Sequence, residues 1–393
     1  MTQLLTRLSL RTGGESHGPA VLALLEGLPR GLRLDLARIH AELRRRQGGA
    51  GRGGRQRIED DQVEVLGGVR KEHTIGSPLV LLVRNRDMSL ETLPEPTRPR
   101  PGHADLAGAY RYVDTDLRGT LERASARETA ARVAAGAVAK LLLEALGVEV
   151  FGFVRRVGGA FLPAGVPGAL AAAQVQPARE QRDQTALYTL DPDVDRKMLA
   201  EVQAAAKAGD TVGGVVEVHA WHALPGLGSH LQWNERLDAR LAAGLMSIPA
   251  IKAVEIGLGV GVGELRGSQA HDPILPAGAD GLPRRASNQA GGLEGGMTNG
   301  EPIVVRATMK PISTLRAALP SIDLATGLPA TAGYERSDVC AVSAASVIAE
   351  AMVALILADA ALVRLGGETM QEVQQRQREL QRAWASRFGP RGA

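Results

Sequence analysis

Cysteine occurs once in the 393 residues, at Cys340, which excludes an internal disulfide and suits a reducing compartment, so a cytoplasmic protein is expected. Aromatic residues make up only 3% of the chain, so its core has to be built from Ala, Leu, Val and Ile. Residues 1 to 30 lack a basic segment followed by an apolar one and a small-residue cleavage site, and no export signal is expected. The most apolar stretch, 339 to 363, is interrupted by Glu350 and Asp359. It falls short of the ~18 unbroken apolar residues of a spanning helix, and it reads as a buried core helix. Neither a repeat of fixed period, nor zinc-type Cys/His spacing, nor a Gly-x-Ser-x-Gly elbow, nor a common nucleotide loop is present.

What is present describes a globular chain, with 44% hydrophobic and 23% charged residues. β-Like runs occur at 20–26, 61–66, 78–84, 212–221, 253–262 and 302–309. Helical patterns cover 33–46, ending at Gly48-Gly49, and the Ala-rich, Pro-free segment 121–146. The charged segment 368–387 is predicted to be an exposed terminal helix. Pro- and Gly-rich tracts at 92–103, 161–180 and 222–230 read as loops. Strands and helices mix without regular alternation, which favours α+β over a doubly wound sheet. No tract has the composition of a flexible tether, so 1–393 reads as one domain with 368–393 a charged C-terminal tail or helix.

The net charge of +3 conceals a preference for Arg over Lys, and a guanidinium is a flat fork suited to carboxylate and phosphate. Six arginines, at 44, 45, 46, 52, 55 and 57, fall in LRRRQGGAGRGGRQR. Two guanidinium groups ~7 Å apart repel by roughly 2 kcal/mol at an effective dielectric of 20. Water or an anion must relieve that repulsion, so the run is either a solvated basic loop or an anion site. RNA is the other candidate partner, but the run lacks the aromatics that stack on bases, and a small polyanion fits better.

Four more clusters carry chemistry. GESHG, at 14–18, places Ser16 and His17 in a glycine-flanked and therefore flexible turn. RPRPGHADL places His103 beside Arg98, Arg100 and Asp105, and histidine suits proton transfer near neutrality. ERASARET, with Arg123 and Arg127 four residues apart around Ser125, opens the long helix either as a charged first turn or as an anion site. In GGLEGG, glycines 291, 292, 295 and 296 signal close approach to the backbone or tight turns; Lys310-Pro311-Ile312-Ser313-Thr314 then offers a cation and two hydroxyls to a phosphate. YERSDVCAV ends the set, where Ser337 or Asp338 is a natural cap for the core helix. From residue chemistry alone this is an enzyme for a small, multiply anionic substrate with histidine as proton carrier.

Taken in order, GESHGP, RRRQGGAGRGGR, RPGHADL, ERASARETAARVAAGAVAK, GGLEGGMTNGEPIVVR, KPIST and ERSDVCAV resemble the chorismate synthase family, from about residue 8 to 365. The resemblance implies a β-α-β sandwich, antiparallel sheets enclosing a helical layer, assembled as a homotetramer. It implies a shikimate-pathway lyase that converts 5-enolpyruvylshikimate 3-phosphate to chorismate by 1,4-anti elimination of phosphate. Reduced FMN would be required without net redox change; it could be reduced by the chain itself with NADPH or by an external flavin reductase, and the lack of a recognisable nicotinamide-binding fold favours the external supply, with NADPH an indirect reductant. By the same resemblance Arg46, Arg52, Arg127 and Arg336 contact the anionic substrate. His17 protonates the departing phosphate, His103 protonates the reduced flavin, Asp338 assists proton movement there, and Ser16 and Ser125 relay or orient. The flavin site would draw on Arg123, Ala124, Ser125, Ala250, Gly295, Lys310, Pro311, Ile312, Ser313, Thr314 and Arg336. Family members often carry Ser where Ala124 stands, and an amide side chain where Pro249 precedes Ala250, so a hydroxyl contact and an amide contact are lost here.

Overall fold

The computed structural model describes residues 4–53, 59–163, 174–278, 281–335 and 338–389. The predicted strands form two antiparallel sheets. In the first, β1 (Ser9–Gly13), β2 (Ala20–Glu26), β3 (Val63–Gly67) and β4 (Leu79–Arg84) lie in the order β1-β2-β4-β3. β2 pairs with β4 from Ala20 opposite Arg84 to Leu25 opposite Leu79. Both strands alternate buried and half-buried residues, so one face carries Val21, Ala23, Leu25, Leu79, Leu81 and Val83 into the core.

The second sheet contains β5 (Glu149–Val157), β6 (Ala160–Phe161), β7 (Gly214–Trp221), β8 (Ile251–Ile256) and β11 (Ile303–Met309), in the order β8-β11-β7-β5-β6. The tiny hairpin β9 (Leu293–Glu294) and β10 (Met297–Thr298) precedes β11. β8 is shorter than the run 253–262 suggests, because residues 259–264 turn into a 3-10 helix.

Helices α1 (Leu36–Gln47), α2 (Asp105–Tyr112), α3 (Arg118–Arg123), α4 (Thr129–Ala145), α5 (Val175–Gln184), α6 (Pro192–Ala208), α7 (Leu237–Met246), α8 (Val342–Leu365) and α9 (Met370–Phe388) complete the fold. α5 begins inside the tract 161–180 that reads as a loop and runs four residues beyond it. α4 packs on β2 and β4, α8 packs on β5 and β7, and the two helices pack on each other. The antiparallel sheets therefore enclose a helical layer, the α+β arrangement expected. Two glycines permit this closeness. A Cβ on Gly136 would sit 2.3 Å from that of Ala351, and one on Gly152 would sit 2.8 Å from the Ser346 carbonyl. α8 is long and apolar enough to cross a membrane, yet 94% of its most apolar window is buried between the sheets.

Charges in this layer are paired. Glu350 of α8 meets Arg45 at 2.5 Å, Lys140, and the Gly152 N–H at 2.9 Å. Asp359 accepts N–H groups of Thr6, Arg7 and Leu8 and pairs with Arg240, tying the N-terminal segment to the core.

Candidate active site

The turn between β1 and β2 carries Ser16 and His17. Gly14 has φ +95°, and a Cβ there would lie 2.1 Å from the Ala20 carbonyl oxygen, so the turn requires glycine. The expectation of a flexible loop is corrected by what holds it. Asn85 Nδ2 donates to the carbonyls of Gly18 at 2.7 Å and Glu15 at 3.1 Å. Leu90 N–H donates to the His17 carbonyl at 3.1 Å. Glu122 accepts the His17 backbone N–H at 2.7 Å and faces its Nδ1 at 2.9 Å. Buried Glu122 would be driven up in pKa, but its hydrogen bonds to His17 and Arg118 outweigh that and hold it below the usual carboxylate range.

The predicted helix 121–146 is broken. α3 ends at Arg123, Ser125 is extended, a 3-10 turn spans Ala126–Glu128, and α4 starts at Thr129. The break brings Ser125 Oγ to 2.8 Å from Ser16 Oγ. It also separates the two arginines read as sharing a helix face. Arg123 turns to the carbonyls of Gly14 and Thr12 at 3.0 and 3.1 Å, whereas Arg127 is buried against Asp61, Asn85 Oδ1 at 2.6 Å and the Arg84 carbonyl at 3.1 Å.

The arginine cluster divides as well. Neighbours on a helix point about 100° apart, so Arg45 joins Glu350 while Arg46 reaches Asp61 at 2.8 Å. Arg44 is exposed, and Arg55 and Arg57 lie outside the described residues, as do Arg336 and Ser337. Asp61 is fully buried; burial raises its pKa, but Arg46 and Arg127 more than reverse this and keep it ionised. Arg52 pairs with Asp338 at 2.5 Å, and Asp338 also accepts the Gly53 N–H at 2.6 Å. Asp338 is thus not the cap of α8, whose N-cap position is Ala341. The Nε groups of Arg46 and Arg52 are buried without a hydrogen-bond partner among the described residues.

Opposite lies His103. Its Nδ1 meets Asp105, which is clamped by Arg100 Nε at 2.8 Å, and Arg100 Nη1 donates to Thr314 Oγ1 at 3.0 Å. Burial raises the pKa of Asp105, but the hydrogen bonds from His103 and Arg100 prevail and hold it far below the ordinary value. Lys310 Nζ donates to the Gly102 carbonyl at 2.8 Å, and its pKa is lowered by burial and then by Lys252. Ala250 adopts φ +68°, an unusual conformation for a residue with a Cβ, and its carbonyl accepts the Lys310 N–H at 2.9 Å.

These elements surround a cavity of about 890 Å³, near the upper end of the ~300–1,000 Å³ of small-molecule sites. Ser16, His17, Arg46, Arg52, His103, Ala124, Ser125, Arg127, Ala250, Lys310, Ile312, Ser313, Thr314 and Asp338 all line it. Arg123, Gly295 and Pro311 do not. Gly295 and Gly296 form the tight turn between β9 and β10, with φ of +58° and +85°. Leu93, Leu121, Ile248, Met309 and Ile348 supply an apolar wall. The buried carboxylates Asp61 and Glu122 and the cation Arg118 escaped the sequence reading, and Asp105 and Arg100 entered it only as neighbours of His103. The one sequence signal for the Glu122 pairing was the four-residue spacing from Arg118.

Cys340 is fully buried beside Gly51, and burial pushes its thiol up to about 11. It is expected to stay unreactive toward an aromatic disulfide reagent at pH 8 until denaturant is added, as read by thiolate release; rapid labelling of the native protein would contradict this.

The sequence profile of the chorismate synthase family matches residues 8–362. Chorismate synthase from Salinispora tropica is 52% identical over 381 residues, covering 92% of this chain and 95% of that protein. The enzyme from Desulforudis audaxviator is 48% identical over 391 residues, covering 96% and 98%. A crystal structure of chorismate synthase superposes with a TM-score of 0.80 at 40% identity, covering 97% of this chain and 99% of that one. With matches of this length and identity running through every segment that walls the cavity, the chain belongs to the chorismate synthase family.

Proposed function

We propose that this cavity carries out the 1,4-anti elimination of phosphate from 5-enolpyruvylshikimate 3-phosphate, and that reduced FMN binds there beside the substrate. The observation that carries the reading is the pairing of two histidines with arginines around one cavity. His17 and His103 line it, each with Nδ1 turned to a buried carboxylate, together with Arg46, Arg52 and Arg127.

The residues fit a flavin phosphate as well as the substrate. The volume exceeds what one small anion needs, the apolar wall suits a flat ring, and Lys310, Ser313 and Thr314 suit a phosphate. The buried Nε groups of Arg46 and Arg52, which have no partner among the described residues, argue for anionic ligands, because a desolvated donor left unpaired is costly. Ala124, Ser125, Ala250 and the 310–314 turn would hold the cofactor, which supplies a transient source of electron density when bound. The side-chain amide and Ser hydroxyl common in relatives are replaced here by Pro249 and Ala124, so contacts at those two points fall to backbone and to Ser125.

The chain's own groups divide the remaining work. Arg46, Arg52 and Arg127 bind the carboxylates and phosphate, and Asp61 bridges Arg46 and Arg127, offsetting their mutual repulsion. His17 gives a proton to the phosphate oxygen as the carbon–oxygen bond breaks. His103 holds a proton on the cofactor side, Ser16 and Ser125 orient that pair of loops, and Asp338 moves a proton near Arg52. Arg336 is assigned to the anion site by family resemblance alone. The same reading includes a homotetramer in the cytoplasm and flavin reduced by a separate NADPH-dependent reductase.

The test is anaerobic phosphate release from 5-enolpyruvylshikimate 3-phosphate with photoreduced FMN. Turnover is expected with light, and with NADPH only after a flavin reductase is added. No phosphate release with photoreduced FMN would overturn the reading, and tight, salt-sensitive RNA binding in its place would favour a nucleic-acid role for the arginines.

A further inference from the structure

We propose that Glu122 is a positioning residue for His17, fixing which ring nitrogen presents its proton to the cavity. This rests on the reading of His17 as proton donor to the departing phosphate.

Glu122 lies in the last turn of α3 with its side chain 1% exposed. It holds the His17 loop at three points. Oε2 accepts the His17 backbone N–H at 2.7 Å, Oε1 faces Nδ1 at 2.9 Å, and the Glu122 carbonyl accepts the Ser16 N–H at 3.3 Å. Arg118, one helical turn earlier, reaches Oε1 at 3.3 Å and is itself anchored by the Pro94 carbonyl at 2.8 Å. An ionised carboxylate only accepts, so Nδ1 must carry a hydrogen. Imidazole geometry then puts Nε2 on the ring edge away from Glu122, and His17 lines the cavity. In the charged ring Nε2–H gives its proton to the phosphate oxygen while the carbon–oxygen bond breaks. The neutral ring left behind keeps Nδ1–H on Glu122 and regains the Nε2 proton from water. The burial that would protonate Glu122 is outweighed by its hydrogen bonds, which keeps it an acceptor throughout.

The Glu122 carboxylate is more than a scaffold contact. A purely structural anchor needs the backbone hydrogen bond only, whereas here the second oxygen is spent on the ring. Glu122→Gln separates the two functions. Its amide oxygen can still accept the backbone N–H, but its NH₂ turns toward Nδ1 and favours the tautomer with hydrogen on Nε2 and none on Nδ1.

The expected result is a kcat lowered about 10²-fold with KM little changed and an unaltered circular dichroism spectrum. Long-range ¹H–¹⁵N spectra of the protein without substrate or cofactor should show the His17 ring changing tautomer. In a His17→Ala background, adding Glu122→Gln should lower kcat by less than about threefold, because coupled residues are not additive. An equal fold-loss in both backgrounds, or an unchanged tautomer, overturns the proposal. A parental rate in His17→Ala alone would overturn the reading of His17 instead, and the spectra would still decide whether Glu122 sets the tautomer. Should Glu122→Gln not fold, Glu122→Asp keeps the charge but withdraws it from the ring, and must show the same coupling to His17.

Discussion

Glu350→Ala is expected to destabilise the protein by about 3–5 kcal/mol, the cost of removing one partner from a buried ion pair. Glu350 sits on α8 with its side chain 1% exposed. It faces Arg45 of α1 at 2.5 Å, Lys140 of α4, and Arg182 of α5 at 3.4 Å. Glu42 remains as a second partner for Arg45 at 3.1 Å and Lys140 at 2.7 Å, but it cannot neutralise all three cations. A chain whose total stability is on the order of 5–15 kcal/mol would lose a large fraction of it. Urea unfolding at pH 7 measures the loss; a difference below about 1 kcal/mol would show that water or Glu42 replaces the carboxylate.

The same residue carries a pH signature. Burial raises the pKa of Glu350, yet Arg45, Lys140 and Arg182 together lower it well below its ordinary value. A carboxylate depressed in the folded state stabilises fully above its unfolded pKa of about 4.3 and loses that contribution as pH falls toward the folded value. The stability gap between the parent and Glu350→Gln should therefore be widest at neutral pH and narrow progressively below pH 4. A gap that stayed constant from pH 7 to pH 3 would contradict this account of the cluster.

His17→Ala and His103→Ala are each expected to lower kcat by about 10²-fold or more, as lost general acid–base catalysis does. KM for the substrate should change little, because Arg46, Arg52 and Arg127 stay in place and provide uniform binding. Neither change should unfold the protein. Glu122 keeps Arg118 at 3.3 Å when His17 is removed, and Asp105 keeps Arg100 at 2.8 Å when His103 is removed. Single-turnover phosphate release with photoreduced FMN reads the chemical step directly, and a parental rate in either variant would remove that histidine from the mechanism. The two losses should combine to nearly their product if the histidines act on separate proton transfers.

The elements legible in the residues were those with a local cause. Alternating β2 and β4, the capped and Gly-terminated α1, and the apolar α8 all appear close to where their patterns place them. The candidate site was legible as a set of motifs, since His17, His103, Arg46, Arg52 and Ser125 all reach one cavity. What sequence by itself determined was therefore which chemistry is available: proton carriers, anion-binding forks and turns that only glycine can make.

Which of those groups work together was decided by tertiary structure alone. Propensity runs a helix through 121–146, but Ser125 is pulled extended to meet Ser16, and the break sends Arg123 to the surface and Arg127 into the core. Consecutive Arg45 and Arg46 serve different charge clusters because one helical step turns a side chain through about 100°. The carboxylates Asp61 and Glu122 gain their roles from partners, Arg127 and His17, that lie 66 and 105 residues away. A buried charge is stable only beside its counter-charge, and no local pattern records where the fold will bring that counter-charge.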